Sequence, residues 1–167
     1  GDFVVDGTID GGGHTVEVLK KISPLGKLLG LDWDEAMIAK CKEQMAGRRN
    51  VILVHGNYAD LENILKKHNL PKADGLLLDL GFSSEQLEHS GRGFSFKRDE
   101  PLVMTYNQFR QPVKEILREI SEKELDRIIS EFGEEKFASR IARAIKVQER
   151  IKPIETIREL AEIIKRA

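Results

Sequence analysis

Short apolar runs alternate with helical patterns along the first eighty residues of the chain. The apolar runs are rich in Val, Ile and Leu, as in strands buried on both faces, and they cover residues 3–5, 28–31, 51–54 and 75–80. Between them, apolar residues recur three and four positions apart, which predicts helices over 16–22, 35–45 and 61–68. This alternation predicts a parallel α/β sheet whose ligands bind beyond the carboxyl ends of the strands.

The pattern becomes wholly helical after residue 100. Ser121 and Glu124 have the spacing of a capping box, and Gly133 is a typical helix stop. Four strands are fewer than an open doubly wound sheet usually contains, so we expect this sheet to be incomplete. The pattern therefore predicts a partial Rossmann-like domain over 1–107 and a partial helical domain over 108–167, with helices at 112–120, 122–132, 134–150 and 155–166.

Composition narrows the class of protein. The 167 residues suffice for one domain with a core and perhaps an appendage, and no apolar run approaches the roughly 18 residues that cross a bilayer. A single cysteine, Cys41, cannot form an internal disulfide and has no partners at metal-ligand spacing, so we predict a cytoplasmic protein without a metal site. The net charge of −1 requires any nucleic-acid contact to come from a local patch.

The stretch VVDGTIDGGGHT, residues 4–15, joins the first apolar run to the first helical pattern through four glycines. Gly7 and Gly12 have P-loop spacing, but Gly13 and His14 occupy the positions that require Lys and Ser or Thr. The dinucleotide fingerprint also fails, because Val16 stands where its third glycine is needed. A triphosphate and a dinucleotide are therefore both disfavoured as ligands.

Asp32 ends the second apolar run, nineteen positions after Gly13. An acid at this place in a nucleoside-binding sheet accepts hydrogen bonds from ribose hydroxyls. A glycine turn with a ribose acid and no phosphate-binding lysine favours S-adenosylmethionine, whose cationic sulfonium prefers nearby carboxylates. The alternative is that the glycines form only a tight connection between strand and helix.

The third and fourth apolar runs lead into Tyr58 and Asp79. An aromatic side chain such as that of Tyr58 could lie along an adenine ring, or it could simply pack in the core. A carboxylate that follows the apolar residues 76–78 is costly to place unless it is solvated or has a partner. Asp79 is therefore a candidate site residue.

Several longer strings carry a family resemblance. DGTIDGGGHT, LGLDWD, HGNYADL, LLLDLGFSSEQL, RGFSF and FGEEKFASRIARAI occur in this order. They strongly resemble the bacterial small-subunit ribosomal RNA (cytosine-N4)-methyltransferases, the RsmH or MraW family, over nearly the whole chain. The resemblance implies a class I methyltransferase with a helical insertion, which uses S-adenosylmethionine to methylate the exocyclic amine of a decoding-region cytidine in 16S rRNA. The implied partner is the small ribosomal subunit, with neither DNA nor a membrane; the oligomeric state stays open, a homodimer being one option.

The resemblance also implies individual site residues. His14 gains a ligand role from the motif match alone, since by itself it would more often be a polar residue at a helix start. The ligand role of Gln86 likewise rests on the motif match. We add the hypothesis that Asp79, near Ser83 and Ser84 in the sequence, is the catalytic acceptor for the amine. The implied cofactor-binding positions are Gly12, Gly13, His14, Asp32, Tyr58, Asp79 and Gln86.

Two groups of cations are candidates for RNA contact. The first interleaves cations and aromatics in a glycine-containing loop: Arg92, Phe94, Phe96, Lys97 and Arg98. The alternative for this loop is a lid that packs its phenylalanines inward. The second group is predicted on one helix face beside the apolar stripe Phe137, Ile141 and Ile145, or else forms an ordinary solvated face: Lys136, Arg140, Arg143 and Arg150.

The chain departs from the family where the usual PLDMRMD reads PLVMTYN. Val103, Thr105 and Asn107 replace two acids and an arginine, so any role of those charges is lost or moved. We expect the chain to be the N-terminal portion of a longer enzyme. Two hypotheses follow: a methyltransferase, or a truncated non-catalytic module that retains cofactor or RNA binding. A dinucleotide oxidoreductase is a weaker third, because its fingerprint fails.

Overall fold

The computed structural model describes residues 1–22, 24–106 and 109–167. These residues form two units, Gly1–Ser83 and Ser84–Ala167. The first unit contains a parallel sheet with its helices, and the second is built from helices. None of the helices in the described ranges combines the length and the apolar composition that a membrane span requires.

Four parallel strands form the sheet of the first unit in the order β3-β2-β1-β4, which confirms the predicted Rossmann-like α/β class. The chain adds β2 and β3 on one side of β1 and then crosses to place β4 on the other. The carboxyl ends of β1 and β4 therefore flank the topological switch point, where such sheets bind ligands. The elements are β1 (Phe3–Asp6), α1 (Gly13–Lys21), β2 (Lys27–Asp32), α2 (Glu35–Gln44), β3 (Val51–His55), a 3₁₀ turn (Tyr58–Asp60), α3 (Leu61–Lys67) and β4 (Gly75–Leu77).

The central strands β1 and β2 are buried because helices and loops cover both of their faces. Phe3 and Leu29 pack with Ile64 on one side, while Ile9 and Ile38 form a smaller cluster elsewhere in the unit. A side chain at Gly30 would collide with Ile9, so the glycine in β2 lets the loop after β1 pack directly on the strand. This packing fixes the loop that carries the candidate site.

The fourth strand is shorter and more exposed than predicted. The sequence pattern predicted a buried strand over 75–80, but β4 ends at Leu77, and Leu76, Leu78 and Leu80 are exposed. The reason is that, within the described residues, β4 pairs with β1 alone and forms the edge of the sheet. Beyond Leu77 the backbone bonds to a side chain, because the Asp79 amide donates to Thr8 Oγ1 at 2.7 Å.

The helices of the second unit begin and end at local signals. Ser121 Oγ accepts the Glu124 amide at 3.1 Å, and Thr156 with Glu159 forms a complete capping box. Glu134 takes a left-handed conformation just after α6, which delays the next helix to Ala138 from the predicted start at 134. The elements are α4 (Ser84–His89), which the pattern did not predict, α5 (Val113–Glu119), α6 (Glu122–Gly133), α7 (Ala138–Ile151) and α8 (Ile157–Arg166).

Residues 84–106 belong by their contacts to the helical unit. Leu102 is fully buried in the cluster that also contains Leu117 and Ile141. Its amide donates to the Glu155 carbonyl at 2.8 Å, and an antiparallel bridge joins Pro101 to Thr156 beside it. The units therefore divide at 83/84, earlier than the predicted boundary at 107/108, whose two residues lie outside the described ranges.

Leu102→Ala should destabilise the helical unit by about 2–5 kcal/mol, because it leaves a cavity in the core of that unit. Hydrogen exchange should then accelerate in α5 to α8 and stay unchanged in β1 to β3. Ile151→Ala is the control, since Ile151 is exposed on α7. Accelerated exchange in the sheet unit would instead assign residues 84–106 to the sheet, as the predicted boundary did.

Candidate functional site

Among the glycines of the turn between β1 and α1, only Gly12 adopts a backbone conformation that favours glycine. Gly12 has a φ of 80°, and a Cβ there would lie 3.2 Å from Met45 Cε and 3.3 Å from Cys41 Sγ. Its amide donates to the Ile9 carbonyl at 2.7 Å, which closes the turn. Gly12 is therefore required by the backbone itself.

Gly13 has no such structural requirement. It lies outside the left-handed region, and a Cβ built on it meets no atom within 4 Å. The residue is exposed and begins α1, where glycine is a weaker helix former than alanine. A bare backbone at this position leaves open space that a ligand can occupy.

Asp32, the last residue of β2, connects two turns at the edge of the sheet. Its Oδ2 accepts the Asp10 amide at 2.9 Å, and its Oδ1 accepts the Asp34 amide at 2.7 Å. Burial raises the pKa of Asp32, while these two donors act in the opposite direction. Each carboxylate oxygen keeps a second lone pair, so Asp32 can still accept from a ligand hydroxyl.

Asp10 is a site residue that the sequence reasoning missed. It holds a left-handed φ of 45°, and its carbonyl accepts the thiol of the buried Cys41 at 3.2 Å. Burial, followed by the negative charges of Asp32 and Asp79, raises the pKa of its carboxyl group to about 6. The signal was an Asp within a glycine-rich turn, since Asp tolerates the left-handed conformation better than most residues.

Asp6 anchors the glycine turn through contacts with Thr8 and Thr15. The sequence pattern did not indicate a role for either threonine. The fully buried Asp6 accepts the Thr15 hydroxyl at 2.6 Å and the Thr8 amide at 3.3 Å. Thr15 is buried on α1, so this contact fixes the start of the helix against the end of β1. The short polar side chains on either side of the glycines therefore set the shape of the site.

His14 and Asp79 meet at the rim of the sheet. His14 Nε2 lies 3.0 Å from Asp79 Oδ2, and both side chains are 61% exposed. Asp79 is thus both solvated and partnered, which removes the desolvation cost that made the sequence position unusual. Thr8 holds the Asp79 backbone through its hydroxyl. The arrangement presents a carboxylate at the switch point with a fixed main chain.

Tyr58 follows β3 and approaches the end of β1. A Cβ built on Gly7 would lie 3.2 Å from Tyr58 Cβ, so the missing side chain at Gly7 makes this approach possible. Tyr58 is exposed, and its ring is available to a ligand at the sheet edge. Gln86 lies in α4 of the other unit, where it is buried, and its ligand role stays a prediction.

The predicted RNA-binding loop divides into two parts. The Arg92 guanidinium donates to the Thr105 and Tyr106 carbonyls at 3.1 and 3.0 Å and stacks on Phe94 at 5.3 Å. The inward-packing alternative therefore describes Arg92 and Phe94, which hold the loop together. The exposed members are Phe96, Lys97 and Arg98, and RNA contact by these three stays a prediction.

The predicted cationic face on α7 is rearranged at its start. Arg140 and Arg143 are exposed on the helix, but Lys136 lies in the turn before it. Phe137, expected in a buried stripe, is exposed because it precedes the first helical turn. Ile141 is buried as expected.

The chain is similar to known proteins over its whole length. The family model described as the MraW methylase family matches residues 1–167. A Clostridium botulinum (strain Loch Maree / Type A3) protein named Ribosomal RNA small subunit methyltransferase H is 44% identical over 164 residues, covering 98% of this chain and 53% of that protein. A Desulfosudis oleivorans protein of the same name is 44% identical over 167 residues with the same two coverages. The chain spans about half the length of these curated relatives.

The raised pKa of Asp10 generates a pH-dependent stability. From the ordinary value of 3.8 up to about 6, the folded chain holds a proton on Asp10 that the unfolded chain has released. The Asp10 contribution to stability therefore decreases as the pH rises through this window and stays at its least favourable value above it. Solvent screening of a half-buried carboxylate limits the effect to about 1 kcal/mol.

Asp10→Asn removes this penalty, and asparagine also tolerates the left-handed conformation. Urea unfolding should show the variant to be more stable than the parent at pH 7.5, with the advantage shrinking at pH 4. Asp2→Asn controls for the loss of one exposed negative charge. An advantage for Asp10→Asn that stays constant over this range would contradict the assignment.

Proposed function

The chain belongs to the MraW methylase family, and from that premise we propose that it carries the cofactor half of an S-adenosylmethionine-dependent ribosomal RNA methyltransferase. The proposed product is N4-methylcytidine in the decoding region of 16S rRNA, as the resemblance implies. The site of action is the cytoplasm, in keeping with the free, buried Cys41. Because the chain spans about half of its relatives, activity of this chain by itself is part of the proposal.

The open turn at Gly13 is the observation that carries the proposal. The turn that contains Gly13 bonds to Asp32 through the Asp10 amide, and His14, the next residue, contacts Asp79. The turn sequence GTIDGGGHT contains no Lys or Arg. Carboxylates without a cation disfavour a phosphate ligand and favour a ligand that carries positive charge. S-adenosylmethionine has adenosine and a sulfonium but no phosphate, so the residues present fit it.

Each side chain at the edge has a proposed task. Asp32 accepts the ribose hydroxyls through the lone pairs that the two amides leave unused. Tyr58 lies against the adenine, and the backbone of Gly12, Gly13 and His14 receives the remainder of the cofactor. Gln86 is assigned a cofactor contact on the family motif alone.

The chemistry requires orientation of a weak nucleophile. The N4 amine of cytosine has a lone pair delocalised into the ring, so a hydrogen-bond acceptor must hold it in line with the methyl donor. Bound S-adenosylmethionine supplies an electrophilic methyl group. The Asp79 carboxylate accepts a hydrogen bond from the amine, and the proton that the amine loses passes to this carboxylate or to water. His14 keeps the carboxylate in place through the contact at 3.0 Å.

A second candidate is a non-catalytic module that binds the cofactor or RNA. The exposed apolar residues Leu76 and Leu78 at the edge strand favour it, because an exposed apolar surface is suited to binding. Both candidates share the cofactor site and differ only in transfer. Cofactor binding and methyl transfer therefore require separate measurements.

Gly13→Ala should weaken S-adenosylmethionine binding about tenfold in titration calorimetry, since its methyl group enters the ligand space without touching the protein. The melting temperature should stay the same or rise slightly, because alanine favours the helix start. Gly133→Ala is the matched control, as a Cβ there also meets no atom within 4 Å. Absence of binding by the folded parent, or equal affinity in both variants, would contradict the cofactor site.

Asp79→Asn should reduce single-turnover methyl transfer to small-subunit RNA by about 10²-fold or more at saturating cofactor, since the amide is a weaker acceptor. Cofactor affinity should change far less. Asp2→Asn is the control, because it removes one exposed carboxylate without changing the candidate site. Transfer that falls only in proportion to cofactor occupancy would remove Asp79 from the chemical step.

A further inference from the structure

We propose that the turn between α6 and α7 is a stacking platform for an unpaired RNA base, with Phe137 as the ring on which the base lies. The inference deepens the proposed function, because it takes RNA as the substrate and assigns a place where the strand is held. It adds a residue that the sequence pattern placed in the core. The platform is defined as Phe132, Lys136, Phe137, Arg140 and Arg143.

Phe137 is held in place although it is exposed. Its amide donates to Glu135 Oε1 at 2.9 Å, and the Arg140 guanidinium carbon stands 5.5 Å from the ring centroid. The residue is nevertheless 56% exposed. A ring fixed by its own backbone and by a stacked guanidinium can receive a base with little further loss of conformational freedom.

A second large aromatic residue borders the same turn. Phe132, on the last turn of α6, is 76% exposed. Single exposed apolar residues are common on protein surfaces, but here two exposed phenylalanines lie five positions apart at the two ends of one short turn. Aromatic side chains are the elements on which single-stranded nucleic acids stack their bases.

Three of the acids near the turn are occupied within the chain, while Glu134, in the turn itself, is exposed. Glu131 pairs with Arg127, Glu135 accepts the Phe137 amide, and Asp126 accepts the Ser139 hydroxyl at 2.8 Å. These contacts hold the carboxylates in internal interactions. Their negative charge is therefore partly compensated before any partner arrives.

The cations of the platform are not occupied in the same way. Lys136, Arg140 and Arg143 are exposed, and none of them forms a salt bridge with any residue that the structure describes. Cations without an acidic partner next to exposed rings match a strand that offers phosphates and bases together. An acidic protein segment would use the cations but would leave the rings without a partner.

The test measures binding of a fluorescein-labelled, 12-nucleotide single-stranded RNA to the whole chain by anisotropy over a salt series. Phe137→Leu keeps the apolar volume and removes the aromatic ring. We expect it to lower affinity about tenfold with an unchanged salt slope, whereas Phe137→Tyr retains the parental affinity. Arg143→Gln should instead reduce the salt slope by about 0.7. Ile151→Ala, exposed at the other end of α7, controls for loss of an apolar surface residue.

An abasic strand of the same length separates stacking from charge. The parent should bind the intact strand more tightly than the abasic one, and Phe137→Leu should bind the two equally. A parent that does not distinguish the strands, or a Phe137→Leu variant that binds intact RNA as the parent does, overturns the platform. Binding of polyglutamate in preference to RNA would also overturn it and indicate an acidic protein partner.

Cofactor affinity keeps this test distinct from that of the proposed function. Phe137→Leu should bind S-adenosylmethionine as tightly as the parent in calorimetry, because the variant changes only the helical unit. RNA stacking without cofactor binding would leave the platform intact and contradict the methyltransferase proposal. Cofactor binding without discrimination between intact and abasic RNA would contradict the platform and leave the cofactor site of the methyltransferase proposal intact.

Discussion

The carboxylate of Asp32 is the contact on which the candidate site depends. It ends β2 and accepts one amide from the turn after β1 and another from the turn that begins α2. The loops that follow two neighbouring strands therefore meet at the Asp32 carboxylate. Burying an acid with two backbone donors costs far less free energy than burying an isolated acid. The residue that resembles a ribose-binding acid is thus also the residue that shapes the glycine turn. If a substitution of Asp32 abolished ligand binding, the loss could come from the missing ligand contact or from a distorted turn.

The same contact concentrates negative charge at the sheet edge. Asp10 is drawn toward Asp32 through its amide, and burial with neighbouring carboxylates raises its pKa to about 6. The folded chain therefore contains repulsion between these carboxylates. A cationic ligand would relieve this repulsion, and an anionic ligand would increase it. This explains in physical terms why a phosphate-binding lysine is unnecessary in the turn. It also makes this edge of the sheet more favourable for a cationic ligand than for an anionic one.

The sequence predicted β1, β2 and β3 closely, because continuous apolar runs and period-3.6 helices are local signals. It predicted β4 too long, since an apolar run does not reveal which strand will form the edge of a sheet. The exposure of Phe137 was also missed, because its place in the apolar period is overridden by the left-handed Glu134 and the turn that follows. The Asp in the glycine-rich turn was a local signal for Asp10, but its contact with Asp32 spans 22 positions, and no local pattern reveals such a contact. Periodicity therefore predicted where the helices and strands lie, whereas tertiary contacts determine which of their ends are exposed.

The glycines show how structural and functional requirements can be separated. Gly12 is fixed by its positive φ, and Gly93 by a Cβ position 2.5 Å from the Pro101 carbonyl oxygen. The fold alone accounts for the missing side chain at both positions, so its absence there is not by itself a sign of a ligand. Gly13 has an ordinary conformation and empty space where a side chain would be, and a better helix former could replace it without a collision. Packing does not explain this glycine, whereas the proposed cofactor would, because its backbone would then have to approach a ligand closely.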